Sequence, residues 1–167
     1  TKNIPKPMLK INQKMLIDYA IEIAQKISHQ RIFVNTHYQN QILESYIKEN
    51  YTDIFISHEP NILGTGGAIK KIQNDDLLVL NTDNLWQETF VNEIKESINF
   101  FNENKNVENL LLVKSDSLIF DLEMKSKNII NFPSINHNTQ FQGCHLIRNQ
   151  SLNHYPDVFN IQDYWIN

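Results

Sequence analysis

Short apolar runs alternate with stretches of helical periodicity along most of this chain, and that alternation restricts the fold more than any other feature. Residues 15–27 carry Leu16, Ile17, Ala20, Ile21, Ile23, Ala24 and Ile27, the spacing of a helix with a wide buried face. A β-rich run at 31–35 follows, then Ile42, Leu43, Tyr46 and Ile47 at helical spacing, then a second short strand at 53–57. A further helix through Ile72 leads to the apolar strand Leu77–Leu80, and Phe90, Val91, Ile94, Ile98 and Phe101 mark another amphipathic helix. Strand and helix in turn predict a layered α/β domain with a mostly parallel central sheet flanked by helices. The apolar strand 110–113 is expected at its centre. Beyond it the texture changes to a β-rich portion: strands at 118–122, 128–132 and 140–147 read as a meander, and Ile161 opens a final helix. At the other end, prolines 5 and 7 bar helix, and 4–13 reads as a loop entering an extended segment.

Three of the four glycines, Gly64, Gly66 and Gly67, crowd into the turn between the second strand and its helix. The spacing is not a P-loop, because Gly67 lacks the following Lys-Ser/Thr, and not a dinucleotide fingerprint, because Ile69 holds the third glycine position. Two readings stand: a tight strand-to-helix turn, or a binding loop whose helix amides would suit a base carbonyl or a phosphate. Asp83 ends the next apolar strand, where a carboxylate either caps a helix or holds a metal. Ligands of open α/β sheets sit outside the carboxyl ends of strands, which makes a nucleotide pocket the leading reading. Lys6 is either an exposed lysine or a point charge set against phosphate. The histidines lack zinc spacing, and His37 reads as structural or as lining the pocket. Cys144, beside Gly143, reads as a buried inert thiol, and the pairs Ser115–Asp116 and Asp121–Glu123 as turn and strand-edge residues.

The bulk properties narrow the class. A net charge of -4 leaves no basic footprint for nucleic acid, and no apolar run approaches the roughly 20 residues of a membrane span. A lone cysteine fits a reducing compartment, so a cytoplasmic location is expected.

Taken together the segments resemble the sugar-1-phosphate nucleotidylyltransferases, and within them the branch similar to N-acetylmuramate-1-phosphate uridylyltransferase. The resemblance rests on Pro5-Lys6-Pro7-Met8-Leu9, Met15-Leu16-Ile17-Asp18-Tyr19, Val34-Asn35-Thr36-His37-Tyr38, Leu63-Gly64-Thr65-Gly66-Gly67-Ala68-Ile69-Lys70-Lys71 and Val79-Leu80-Asn81-Thr82-Asp83-Asn84-Leu85-Trp86, with weaker matches at Phe120-Asp121-Leu122, Phe141-Gln142-Gly143-Cys144 and Phe159-Asn160-Ile161. It implies a Rossmann-like nucleotide-binding core forming one domain over residues 1–167. Lys6 would steady phosphate charge, Glu59 would face the base, and Leu63, Gly64, Thr65, Gly66 and Gly67 would receive the nucleotide. Asp83 would bind Mg2+, and Gln142 and Gly143 would lie beside the sugar phosphate. The implied reaction moves a nucleotidyl group, UMP being expected, from UTP or dTTP to a sugar-1-phosphate and releases pyrophosphate. A carboxylate at Glu59 suits the imide N–H of uracil or thymine. The family pattern also includes an N-terminal Gly-rich loop bearing an arginine and a C-terminal metal-binding segment, and neither is found in this sequence. A chain truncated at both ends, weakly active or inactive by itself, is therefore expected. The alternative is a non-catalytic nucleotide- or sugar-phosphate-binding module. An uncovered sheet edge would favour a homo-oligomer.

Overall fold

Proline shapes the entry to the fold. In the computed structural model Lys6–Met8 forms one 3-10 turn, closed by Met8 N–H to Pro5 O at 2.9 Å and Leu9 N–H to Lys6 O at 3.0 Å. The expected loop is thus a single helical turn, because Pro5 and Pro7 fall where the turn needs no donor from them. The structure describes residues 4–27, 31–72, 76–115, 120–126, 128–131 and 138–166. They divide into two compact units, Thr1–Ile62 with Asn81–Glu96, and Leu63–Leu80 with Ser97–Asn167.

The first unit continues with β1 (Lys10–Ile11) and β2 (Lys14–Met15), an antiparallel pair around Asn12 and Gln13. Both turn residues have positive φ, 50° and 68°, the handedness that closes a tight hairpin. Next come α1 (Leu16–Gln25), β3 (Ile32–Thr36), α2 (Asn40–Asn50) and β4 (Ile54–His58). β3 and β4 pair in parallel from Ile32↔Ile54 to Thr36↔His58. Val34, Ile54 and Ile56 pack with Ile17 and Ile21 of α1 and Leu43 and Ile47 of α2. Asp18 ties this layer together. Its Oδ2 accepts the Met15 N–H at 3.0 Å, and its carboxylate accepts the hydroxyls of Tyr46 at 2.9 Å and Tyr51 at 2.8 Å. Burial, together with hydrogen bonding to that carboxylate, raises the Tyr46 hydroxyl to about 12.

The second unit begins with α3 (Gly64–Lys71) and β5 (Leu77–Leu80). α4 (Phe90–Glu103) belongs to the first unit over 90–96 and to the second over 97–103. Then follow β6 (Asn109–Lys114), β7 (Glu123–Lys125), β8 (Asn128–Asn131), β9 (Gln140–Ile147) and α5 (Ile161–Trp165). The sheet order is β5-β9-β6, with β9 antiparallel to both neighbours, so β5 and β6 run the same way. This corrects two expectations: β9, not β6, lies at the centre of this sheet, and β9 leaves the meander. The reason is burial. Gly143 to Ile147 of β9 are all buried, whereas β6 is only half-buried along most of its length. Among the described residues the β7–β8 hairpin keeps the meander pattern, and the described part of the expected 118–122 strand, 120–122, carries a bridge between Leu122 and Thr139. Residues 116–119 and 132, included in those strand expectations or in the Ser115–Asp116 pair, lie outside the described residues.

The core of this unit joins Ile69, Ile147, Leu152, Phe159, Ile161 and Trp165. Arg148 closes it by donating to Phe101 O at 2.6 Å and Val107 O at 3.2 Å, pairing with Asp76, and stacking 3.9 Å over the Phe101 ring. Among the described residues no helix is long and apolar enough to cross a membrane.

Candidate functional site

The first unit holds Glu59, Asp83 and Lys6. Glu59 lies one residue past β4 and is 3% exposed. Its N–H donates to Thr36 O at 2.8 Å, extending the parallel pairing, and its carbonyl accepts from His37 Nδ1 at 2.7 Å. His37 therefore carries its proton on Nδ1 and acts as a brace for the Glu59 backbone. Beside it, Glu44 accepts from Thr36 Oγ1 at 2.8 Å and Asn40 Nδ2 at 3.1 Å. Burial would raise the Glu44 carboxyl, but those hydrogen bonds, with the charges of His58 and Lys48, hold it below the ordinary value.

Asp83 sits exposed in the turn that follows β5. Three residues on, Trp86 is 2% exposed; its Nε1–H donates to Asn81 O at 2.8 Å and its ring meets Phe90 edge-on at 5.2 Å. Lys26, which caps the C-terminus of α1, pairs with Glu88 of the same segment at 2.8 Å. Lys6 is exposed in its 3-10 turn. No group of three or more His, Cys, Asp or Glu able to hold a metal occurs among the described residues. Magnesium needs no such cage, since one or two carboxylates with phosphate oxygens and water suffice, and the exposed Asp83 carboxylate meets that requirement.

The second unit holds the glycine cluster. The Gly66 and Gly67 N–H groups donate to Phe159 O at 3.1 and 3.3 Å, Leu63 O accepts the Phe159 N–H at 2.9 Å, and Thr65 Oγ1 accepts the Ile161 N–H at 3.1 Å. Cβ atoms placed on Gly64, Gly66 and Gly67 would run into Phe159 O, the Phe159 ring and Asp157 O respectively. Gly64 also has a φ of +73°. A binding loop would leave the amides of this turn for a ligand, whereas a tight turn would not. Two of them are taken by the chain itself, and the cluster is a seat for the segment around Phe159.

Gln142 and Gly143 fall in a bulge of β9. Pairing with β6 jumps from Leu111↔His145 to Val113↔Phe141, and Gly143 has a φ of +72°. Such bulges redirect side chains and recur beside active sites. Cys144 is buried and its thiol is pushed up to about 12 by burial, consistent with an inert role. Asp121 Oδ1 accepts the Phe141 N–H at 2.8 Å, a strand-edge role as expected. Sequence reading passed over His145, which is 3% exposed between Phe141 and Trp165 with ring centroids at 6.1 and 5.3 Å. Burial pushes it down to about 4. It also passed over the hydrogen bond of Trp86. The signal there was an aromatic residue three positions after Asp83.

Comparison with known proteins adds the following. Residues 1–119 match the family model described as nucleotidyl transferase. A D-glycero-alpha-D-manno-heptose 1-phosphate guanylyltransferase of Campylobacter jejuni is 34% identical over 87 residues, covering 49% of this chain and 39% of that protein. A bifunctional protein GlmU of Methanococcus aeolicus is 29% identical over 136 residues, covering 77% of this chain and 33% of that protein. The crystal structure of HddC from Yersinia pseudotuberculosis superposes with a TM-score of 0.71 at 22% identity, covering 96% of this chain and 75% of that one. The similarity to solved nucleotidyltransferases bears out the Rossmann-like α/β fold. This chain spans about two fifths of the C. jejuni relative and a third of the M. aeolicus one.

Proposed function

The chain belongs to the nucleotidyl transferase family, and from that premise we propose that it serves transfer of a nucleotidyl group from a nucleoside triphosphate to a sugar-1-phosphate. The observation that carries this reading is that the family match, residues 1–119, includes Lys6, Glu59, the 63–67 turn and Asp83. In the reaction a phosphate oxygen of the sugar-1-phosphate attacks the α-phosphorus, the bond to the β-phosphate breaks, and pyrophosphate leaves. The chemistry needs alignment and neutralisation of charge rather than a protein nucleophile.

The roles follow from residue chemistry. Lys6 offers a point charge to the phosphates. Asp83 would hold magnesium, which when bound offsets phosphate charge. Leu63, Gly64 and Thr65 receive the nucleotide, with Gly66 and Gly67 holding the turn against Phe159. Gln142 and Gly143 address the sugar phosphate from the bulge.

The base is the finer question, and the chemistry of a carboxylate at Glu59 bears on it. An ionised carboxylate only accepts hydrogen bonds. Uracil presents one N–H between two carbonyl oxygens, so the second carboxylate oxygen would face a like partial charge. Guanine presents an N–H and an NH2 side by side, which a carboxylate pairs with twice. We therefore place guanine ahead of the uracil or thymine expected from the sequence, in keeping with the C. jejuni guanylyltransferase. Calorimetric titration with GTP, ITP and UTP tests the choice. A bidentate pair is worth about 1–3 kcal/mol, so GTP should bind more tightly than UTP by that amount. ITP, lacking the NH2, should fall between them, and Glu59→Gln should erase the preference. Tighter binding of UTP than of GTP would return the base to uracil.

A further inference from the structure

We propose that Trp86 is a positioning residue that holds the Asp83 turn ready for metal-bound nucleotide, an inference that rests on the function proposed above. Asp83 is exposed on a turn of irregular backbone, and an exposed turn costs conformational entropy to order at the moment of binding. Trp86 removes part of that cost in advance. Its indole is 2% exposed, far below what a loop side chain ordinarily shows, and its Nε1–H reaches back across the turn to Asn81 O at 2.8 Å. The hydrogen bond closes a ring of backbone around Thr82, Asp83, Asn84 and Leu85, with Asp83 near its middle. The far end of the ring is fixed as well. The Trp86 ring packs edge-on against Phe90, the first residue of α4, at 5.2 Å, and Glu88 pairs with Lys26, the residue capping α1, at 2.8 Å.

Neither the apolar fill nor the ion pair requires a tryptophan. A phenylalanine would keep a ring against Phe90 but lose both the N–H and the volume of the second ring, so global stability is followed alongside the local readout. The hydrogen bond to a backbone carbonyl is what fixes where the aspartate side chain begins. Groups that orient a metal ligand without touching the metal typically matter about 10–100-fold for affinity or activity.

Trp86→Phe therefore separates positioning from packing. Nucleotide affinity for GTP, with UTP in parallel, is measured by calorimetry with Mg2+ and again with EDTA, and hydrogen exchange is followed in the 81–86 backbone. Wild type should gain affinity from Mg2+. Trp86→Phe should lose about tenfold of that gain while its EDTA affinity stays unchanged, and exchange at 82–85 should accelerate by more than the fall in melting temperature accounts for. Asp83→Asn should abolish the Mg2+ gain with exchange at wild-type rates. An undiminished Mg2+ gain in Trp86→Phe overturns the positioning role alone. Absence of any Mg2+ gain in wild type overturns the proposed function and this role with it. Should Trp86→Phe fail to fold, Trp86 fluorescence in a Trp165→Phe background answers instead. Its emission should shift when Mg2+ and GTP are added together and not with GTP in EDTA, and an unchanged emission in both overturns the role.

Discussion

His145 is a histidine held where charging it is expensive. It is 3% exposed, neither ring nitrogen has a hydrogen-bond partner among the described residues, and burial pushes it down to about 4 from an ordinary 6.5. The unfolded chain takes up a proton as pH falls through 6.5, whereas the folded one does so only near 4. Stability is therefore full above 6.5 and is lost across that window, by about 3 kcal/mol in order of magnitude. Thermal unfolding at pH 7 and pH 5 should show the loss, and His145→Phe, which suits the aromatic surroundings of Phe141 and Trp165, should flatten it. An equal pH dependence in that variant would assign the loss to other groups. Residues of this kind are hard to see in a sequence, because Phe141 and Trp165 meet His145 only once β9 and α5 are folded together. Asp83 was visible for the opposite reason: it follows an apolar run, where chain order alone announces a strand terminus, whereas Glu59 stood out only through the family resemblance.

Elements were legible where periodicity was strong. α1, α2, α4, β5 and β9 fall where apolar spacing puts them, within a few residues. Sheet order was not legible, since an apolar strand looks the same at a centre as at an edge until its neighbours are known. The glycine cluster shows a subtler limit. Its backbone freedom was evident, but its use was not, because the segment that fills the space, Asp157 to Phe159, lies far along the chain. The physical consequence is testable at the level of α3. Gly67→Ala forces a Cβ into the Asp157 carbonyl, a backbone atom with little room to yield. Overpacking of this sort costs about 1–3 kcal/mol, which urea unfolding followed by circular dichroism should register. Unchanged stability in Gly67→Ala would mean that the seat for Phe159 is looser than its hydrogen bonds indicate.

For the whole molecule, the match to the nucleotidyl transferase family runs over residues 1–119, the stretch that contains Lys6, Glu59, the 63–67 turn and Asp83. What each does in this chain is a matter of which atoms move. The most direct measurement supplies a nucleoside triphosphate labelled at the α-phosphorus, GTP first and then UTP and dTTP, with Mg2+ and a panel of hexose- and heptose-1-phosphates. The label should appear in a nucleotide sugar while unlabelled pyrophosphate is released, and Asp83→Ala should stop the transfer. Nucleotide that binds with its label staying in place, across the whole panel, would contradict transfer by this chain and leave it a binding module.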